Sequence, residues 1–152
     1  MRLGGKIAVI SGAAHGMGAE EARLFAREGA KVVIADILEP EGREIEGDIR
    51  AAGREALFVR TDVTSEADWQ HVVQATVSRF GALDILVNNA GVSGTSVSDP
   101  LDIEGWHRIM GVNATGVFLG CKHAIPAMLV AGRGIFTKAL AAKYGPDGIR
   151  AN

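Results

Sequence analysis

The chain has 152 residues, 47% of them hydrophobic and 22% charged, with a net charge of −2. That balance fits one globular domain with a proper core, and with its acidic and basic residues interspersed it excludes the electrostatic footprint of a nucleic-acid binder or of a protein drawn to an acidic membrane surface. A single cysteine, Cys121, excludes an internal disulfide and a thiol metal cluster. The histidines at 15, 71, 107 and 123 lack the paired spacing of a zinc site.

No apolar run reaches membrane-spanning length. The glycine-broken start, residues 1–14, is too weak for a signal peptide. A soluble, cytoplasmic protein is expected, with neither a membrane nor a nucleic acid among its partners.

In chain order, residues 6–10 form a short apolar run ending in Ser11-Gly12, a buried strand. Residues 18–28 follow with helical spacing, and Gly29 is a C-terminal stop. Residues 31–35 make a second, β-branched strand that closes on Asp36. Pro40 and the acids after it open a helix over 41–52, with Gly53 behind it. Residues 56–59 are a third strand. Thr64 or Ser65 caps a helix running to Phe80, with Glu66 and Asp68 at its positive end. Residues 85–87 are a fourth strand, leading into Asn88-Asn89-Ala90-Gly91. Residues 102–130 read as one long helix, with Ile109, Val112, Gly116 and Leu119 on one face and a kink at Pro126. Trp69, Trp106 and Met128 read as packing residues.

Strands alternating with helices through short connections imply parallel strands. Right-handed crossovers then give an α/β fold, a Rossmann-type doubly wound parallel sheet. Its strands lack polar alternation, as expected when helices cover both faces. The whole chain, 1–152, reads as one dinucleotide-binding domain.

The first strand–helix turn is Ser11-Gly12-Ala13-Ala14-His15-Gly16-Met17-Gly18. Glycines at 12, 16 and 18 allow backbone conformations and close approaches that a Cβ would block. The following helix aims free N–H groups and its positive end at the turn, where a pyrophosphate can sit. Gly12, His15, Gly16, Met17 and Gly18 are therefore candidate cofactor contacts. Asp36, at the end of the second strand, can accept both ribose hydroxyls of an adenosine and would repel a 2′-phosphate. No Lys or Arg neighbours it in sequence, which favours NAD over NADP, although a basic His15 in the turn pulls the other way.

These pieces, together with Asp62-Val63, Asn89-Ala90-Gly91 and Asn113 in Val112-Asn113-Ala114, resemble the short-chain dehydrogenase/reductase family. They stand in family order and span residues 5 to about 130. The resemblance implies that Asp62 and Val63 hold the adenine edge, that Asn89, Ala90 and Gly91 line the cofactor, and that Asn113 holds a water in a proton relay. It also implies hydride transfer between nicotinamide and a small-molecule alcohol or carbonyl. A homo-oligomer, tetramer or dimer, built through the long helices is implied as well. Residues 93–99 would flank the substrate.

The family's proton relay runs through a tyrosine, a lysine four residues later and a serine on the substrate oxygen. This chain has one tyrosine, Tyr144, followed four residues later by Gly148, and no serine beyond Ser98. Gly132-Arg133-Gly134 resembles the turn before the family's fifth strand, and residues 136–145 resemble the second half of the helix after it. The fifth strand, the serine and the Tyr-x-x-x-Lys turn between them are absent. The sheet is thus expected to be incomplete at the fifth strand and beyond, the chain stopping at the threshold of the next one. The residues flanking Gly134–Phe136 are then not covalent neighbours in the working protein; a true deletion product would fold poorly and lack catalysis. The competing reading is a dinucleotide-binding module without turnover. A Rossmann-like binder of another nucleotide, such as an adenosine-containing methyl donor, is a third.

Overall fold

The computed structural model describes residues 1–93 and 102–131, together with the backbone of two short strands at 134–135 and 149–150. Strands β1 (Ile7–Ser11), β2 (Lys31–Asp36), β3 (Ala56–Arg60) and β4 (Ile85–Asn88) form one parallel sheet in the order β3-β2-β1-β4. In register, Val9 lies opposite Val33 and Leu86, and Asp36 opposite Arg60. Helices α1 (Gly16–Arg27), α2 (Glu39–Ala51) and α3 (Glu66–Phe80) make the connections.

The strands are apolar on both sides because both sides are covered. Val9, Val33, Ala35 and Val59 pack with Trp69 and Val72 of α3 and with Leu119 and Met128 further along the chain. Ile10, Val32, Ile34 and Phe58 face the other way, onto Ala22 and Ala26 of α1 and Ile45 and Ile49 of α2. A fully buried Val or Ile side chain contributes about 1.5–3 kcal/mol relative to exposure, so these two layers fix the strand register that brings the strand ends together. Trp69 and Met128 are fully buried, as expected; Trp106 is not, standing 56% exposed on the outer face of its helix.

The expected single helix over 102–130 is continuous but not uniform. The Asp102 side chain caps its start by accepting the Gly105 N–H at 3.0 Å. Helix α4 (Ile103–Met110) then widens into a π-helical turn, Gly111–Thr115, before α5 (Gly116–Val130). In that turn the Gly116 N–H reaches back to the Gly111 carbonyl, five residues away. The ladder is therefore distorted at Asn113, and Pro126 falls inside α5.

Two two-residue strands, β5 (Gly134–Ile135) and β6 (Ile149–Arg150), pair in parallel as a separate sheet, with β5 near β4 and α5. Among the described residues the main sheet ends at β4, so it is incomplete at the fifth strand, as expected. The expectations on Phe136, Thr137, Lys138 and Tyr144, and those on residues 94–99, lie outside the described residues.

Candidate functional site

Because the four strands are parallel, their carboxyl ends share one edge of the sheet, and chain order reverses between β1 and β4. Ligands of open α/β sheets bind at such a crevice. A cleft of about 440 Å³ opens there, lined by Gly12, His15, Asp36, Ile37, Leu38, Thr61, Asp62, Val63, Asn89, Ala90, Gly91, Val92 and Val112.

The turn after β1 is glycine-rich for two different reasons. Gly12 and Gly16 have φ of +65° and +57°, the left-handed region that a side chain disfavours. Gly18 has no such constraint but is packed: a Cβ there would collide with the Gly12 carbonyl and the Asn89 amide. At Gly12 a Cβ would also stand 2.7 Å from the Ala90 Cα. The turn from β1 and the strand end of β4 thus approach as closely as backbones allow.

Helix α1 starts in this turn, two residues earlier than its apolar pattern indicates, with His15 in extended backbone before it. The first N–H groups of any helix lack internal partners. At α3 they are served by Ser65, whose Oγ accepts the Asp68 N–H at 3.2 Å, with Glu66 and Asp68 in the first turn. At α4 they are served by Asp102, with Glu104 close by, and α2 has Glu39 and Glu41. At α1 no side chain caps the start and no acid occupies the first turn. Among the described helices that start from a loop, α1 alone has neither a side-chain cap nor an acid in its first turn, which leaves its positive end open to an anion.

Asp36 is buried at the end of β2. Its Oδ2 accepts the Ala14 N–H at 2.9 Å and its Oδ1 the Leu38 N–H at 3.0 Å. One carboxylate therefore ties the glycine-rich turn to β2, and each oxygen retains acceptor capacity. Asp62 is used locally: its Oδ1 accepts the Thr64 N–H at 2.9 Å and the Thr64 hydroxyl at 2.7 Å. No lysine or arginine is among the described lining residues.

On the opposite wall, Asn89 donates its amide hydrogens to the Ser11 and Gly12 carbonyls, both at 3.0 Å. Asn113 lies outside the lining but bonds to it. Its Oδ1 accepts the Val92 N–H at 2.8 Å and its Nδ2 donates to the Val92 carbonyl at 2.7 Å. The exposed Asn113 side chain is thus bonded twice to one backbone residue of the cleft and keeps a further donor and acceptor site.

Of the residues singled out from sequence, Gly12, His15, Asp36, Asp62, Val63, Asn89, Ala90 and Gly91 converge on the cleft. Gly16, Met17 and Gly18 lie beside it at the start of α1, with Met17 largely exposed. Sequence reasoning missed Ile37, Leu38, Thr61, Val92 and Val112 as lining residues. Ile37 and Leu38 carry the one available signal, two aliphatic residues placed directly after a strand-ending carboxylate. Thr61 and Val92 carry none. Among the described residues, no group of three or more His, Cys, Asp or Glu side chains gathers to hold a metal.

A doubly wound parallel sheet with a glycine-rich first crossover and a carboxylate on the neighbouring strand end defines a Rossmann-type α/β protein. The family model described as short chain dehydrogenase matches residues 6–151. The chain belongs to the short-chain dehydrogenase/reductase family. It is 47% identical over 133 residues to the 2,5-dichloro-2,5-cyclohexadiene-1,4-diol dehydrogenase of Sphingobium indicum, covering 88% of this chain and 53% of the relative. It is 49% identical over 140 residues to the trans-4-hydroxycyclohexanecarboxylate dehydrogenase of Sinomonas cyclohexanicum, covering 88% and 54%. With the 3-alpha-(or 20-beta)-hydroxysteroid dehydrogenase of Mycobacterium bovis the identity is 38% over 179 residues, covering 99% and 68%. The chain spans about half the length of the first two relatives and about two thirds of the third. The last alignment, at 179 residues, exceeds the 152 of this chain by 27, so at least that many of its positions have no counterpart here.

Proposed function

We propose that the chain is the dinucleotide-binding part of an NAD-dependent oxidoreductase acting on a hydroxyl/carbonyl pair. The observation that carries this reading is the uncapped start of α1 facing the same cleft as the buried Asp36 carboxylate. The N–H groups there hold the diphosphate, Gly12 and Gly18 leave room for it, and Asp36 accepts the ribose hydroxyls. Asp62 and Val63 bound the adenine side, and Asn89, Ala90 and Gly91 the nicotinamide side. The nicotinamide, when bound, supplies or accepts the hydride. Asp36, with no cation among the described lining residues to offset it, disfavours a 2′-phosphate, so NAD is the cofactor rather than NADP.

The named relatives are dehydrogenases of a cyclohexadienediol, a hydroxycyclohexanecarboxylate and a hydroxysteroid, and we extend hydroxyl-bearing alicyclic compounds as the substrate class to the working protein. Asn113, fixed by Val92, is the member of the proton relay that this sequence retains. The serine and the Tyr-x-x-x-Lys pair belong to residues missing at Gly134–Phe136. The surplus length of the hydroxysteroid dehydrogenase alignment supports the reading that residues are missing from this chain. The 152-residue chain therefore binds dinucleotide without turnover, and the working protein turns over. Exposed Trp106, Met110, Phe118 and Val130 along α4 and α5 support a homo-oligomer built through these helices. Its single thiol and lack of any described helix long and apolar enough to span a membrane fit a cytoplasmic protein.

The test is a fluorescence titration of the chain with NADH and NADPH, alongside a hydride-transfer assay with alicyclic alcohols. Saturable binding of NADH, weaker binding of NADPH and no turnover are expected. Failure to bind either dinucleotide rejects the reading.

A further inference from the structure

Trp69 is fully buried in α3, away from the cleft, yet its indole N–H donates to the Val63 carbonyl at 3.0 Å. Val63 lines the cleft beside Asp62. We infer that Trp69 is a positioning residue for the base-binding wall of the cleft, acting through the Val63 carbonyl; the inference rests on the dinucleotide reading above.

The wall is held on three sides. The Asp62 N–H donates to Asp68 Oδ2 at 2.8 Å, which ties it to the first turn of α3. The start of α5 presses on Val63, since a Cβ on Gly116 would stand 3.0 Å from the Val63 Cγ2. The Trp69 indole supplies the third support, and it is itself fixed by α5: a Cβ on Gly120 would come within 2.9 Å of its ring. An indole reaches that carbonyl only because Gly120 leaves the space. A phenyl or aliphatic side chain would fill part of the core but carries no donor, leaving a buried carbonyl without a partner. The donor, not the bulk, is what makes the residue more than core.

The experiment compares the chain with Trp69→Phe and with a variant carrying the isosteric 3-benzothienylalanine at 69, which keeps the ring but lacks the N–H. Affinities are measured for NADH and for reduced nicotinamide mononucleotide, which lacks the adenosine half, below the melting temperature of every variant. The expected result is a rise in the NADH Kd of about two- to tenfold, the equivalent of one neutral hydrogen bond, with the mononucleotide Kd unchanged. Unchanged NADH binding in the isosteric variant overturns the inference, as does equal weakening of both ligands. If Trp69→Phe fails to fold, the isosteric variant decides alone. A parent chain that binds no NADH defeats the dinucleotide reading itself, and the inference with it.

Discussion

Ser11 and Asn89 lock two strand ends together by exchanging hydrogen bonds. The Ser11 hydroxyl accepts the Asn89 N–H at 3.1 Å, and the Asn89 side chain donates back to the Ser11 carbonyl at 3.0 Å. The same hydroxyl accepts the Ala90 N–H at 3.2 Å. Ser11 is 1% exposed, so no water replaces it.

Replacing Ser11 by Ala should therefore leave two backbone N–H groups at the cleft floor without their acceptor. A stability loss of about 1–3 kcal/mol is expected, with weaker NADH binding. Urea denaturation and NADH titration of S11A check this together.

The glycines of the turn should separate by mechanism. Gly16→Ala meets open space but keeps a positive φ, costing about 1–2 kcal/mol. Gly16→Asn, more at home in that conformation, should recover part of the loss. Gly18→Ala drives a methyl into the Gly12 carbonyl and the Asn89 amide, and should abolish NADH binding as well as destabilise the chain. Melting curves and titrations of the three variants tell strain from collision.

Asp36→Ala removes the acceptor of the Ala14 and Leu38 N–H groups and the proposed ribose contact. Hydrogen bonds to a charged group contribute about 1.5–3 kcal/mol, so NADH affinity should fall by about tenfold or more. Discrimination against NADPH should narrow at the same time, because the repelling charge is gone. Equal discrimination before and after the change would remove Asp36 from the specificity argument.

Glu66 joins α3 to α5, its Oε1 taking Lys122 Nζ at 2.6 Å and His123 Nε2 at 3.0 Å. The hydrogen bond from Lys122, then that from His123, holds its carboxyl below the ordinary value of 4.5. A depressed folded value means that the tie is fully present above 4.5 and is lost as pH falls through the lower, folded value. The acid limb of the stability profile should accordingly be shallower in Glu66→Gln. Urea midpoints measured from neutral to acid pH give the comparison.

Burial pushes the Cys121 thiol up, against a weaker opposing contribution from the Asn88 amide at 3.7 Å. The thiolate is the reactive form, so alkylation by iodoacetamide at neutral pH should be slow in the folded chain and fast in urea. Rapid modification without denaturant would contradict this placement.

The strands were legible because each is a run of β-branched residues buried on both faces, a signal that survives without context. Their last residues were not. Ser11 and Asn88 are polar, and they belong to strands only because neighbouring strands and turns supply their partners. The start of α1 was hidden for a related reason: Gly16 is a poor helix former, and its place is set by the turn rather than by propensity. Asn113 showed in the sequence as a polar residue in an apolar helix. Its two bonds to Val92 did not, since they depend on the π turn, which no periodicity announces. Trp106 has the composition of a core residue, and only the completed packing of the sheet face shows that nothing described covers it.

That π turn also sets the angular phase of everything before it. Each residue advances an α-helix by about 100°, so a stretch wound with one extra residue per turn rotates α4 relative to α5. Excising a single residue between 111 and 115 would restore an ordinary ladder. It would also swing the Asn113 amide off Val92 and carry the Trp106 side of α4 round the helix axis.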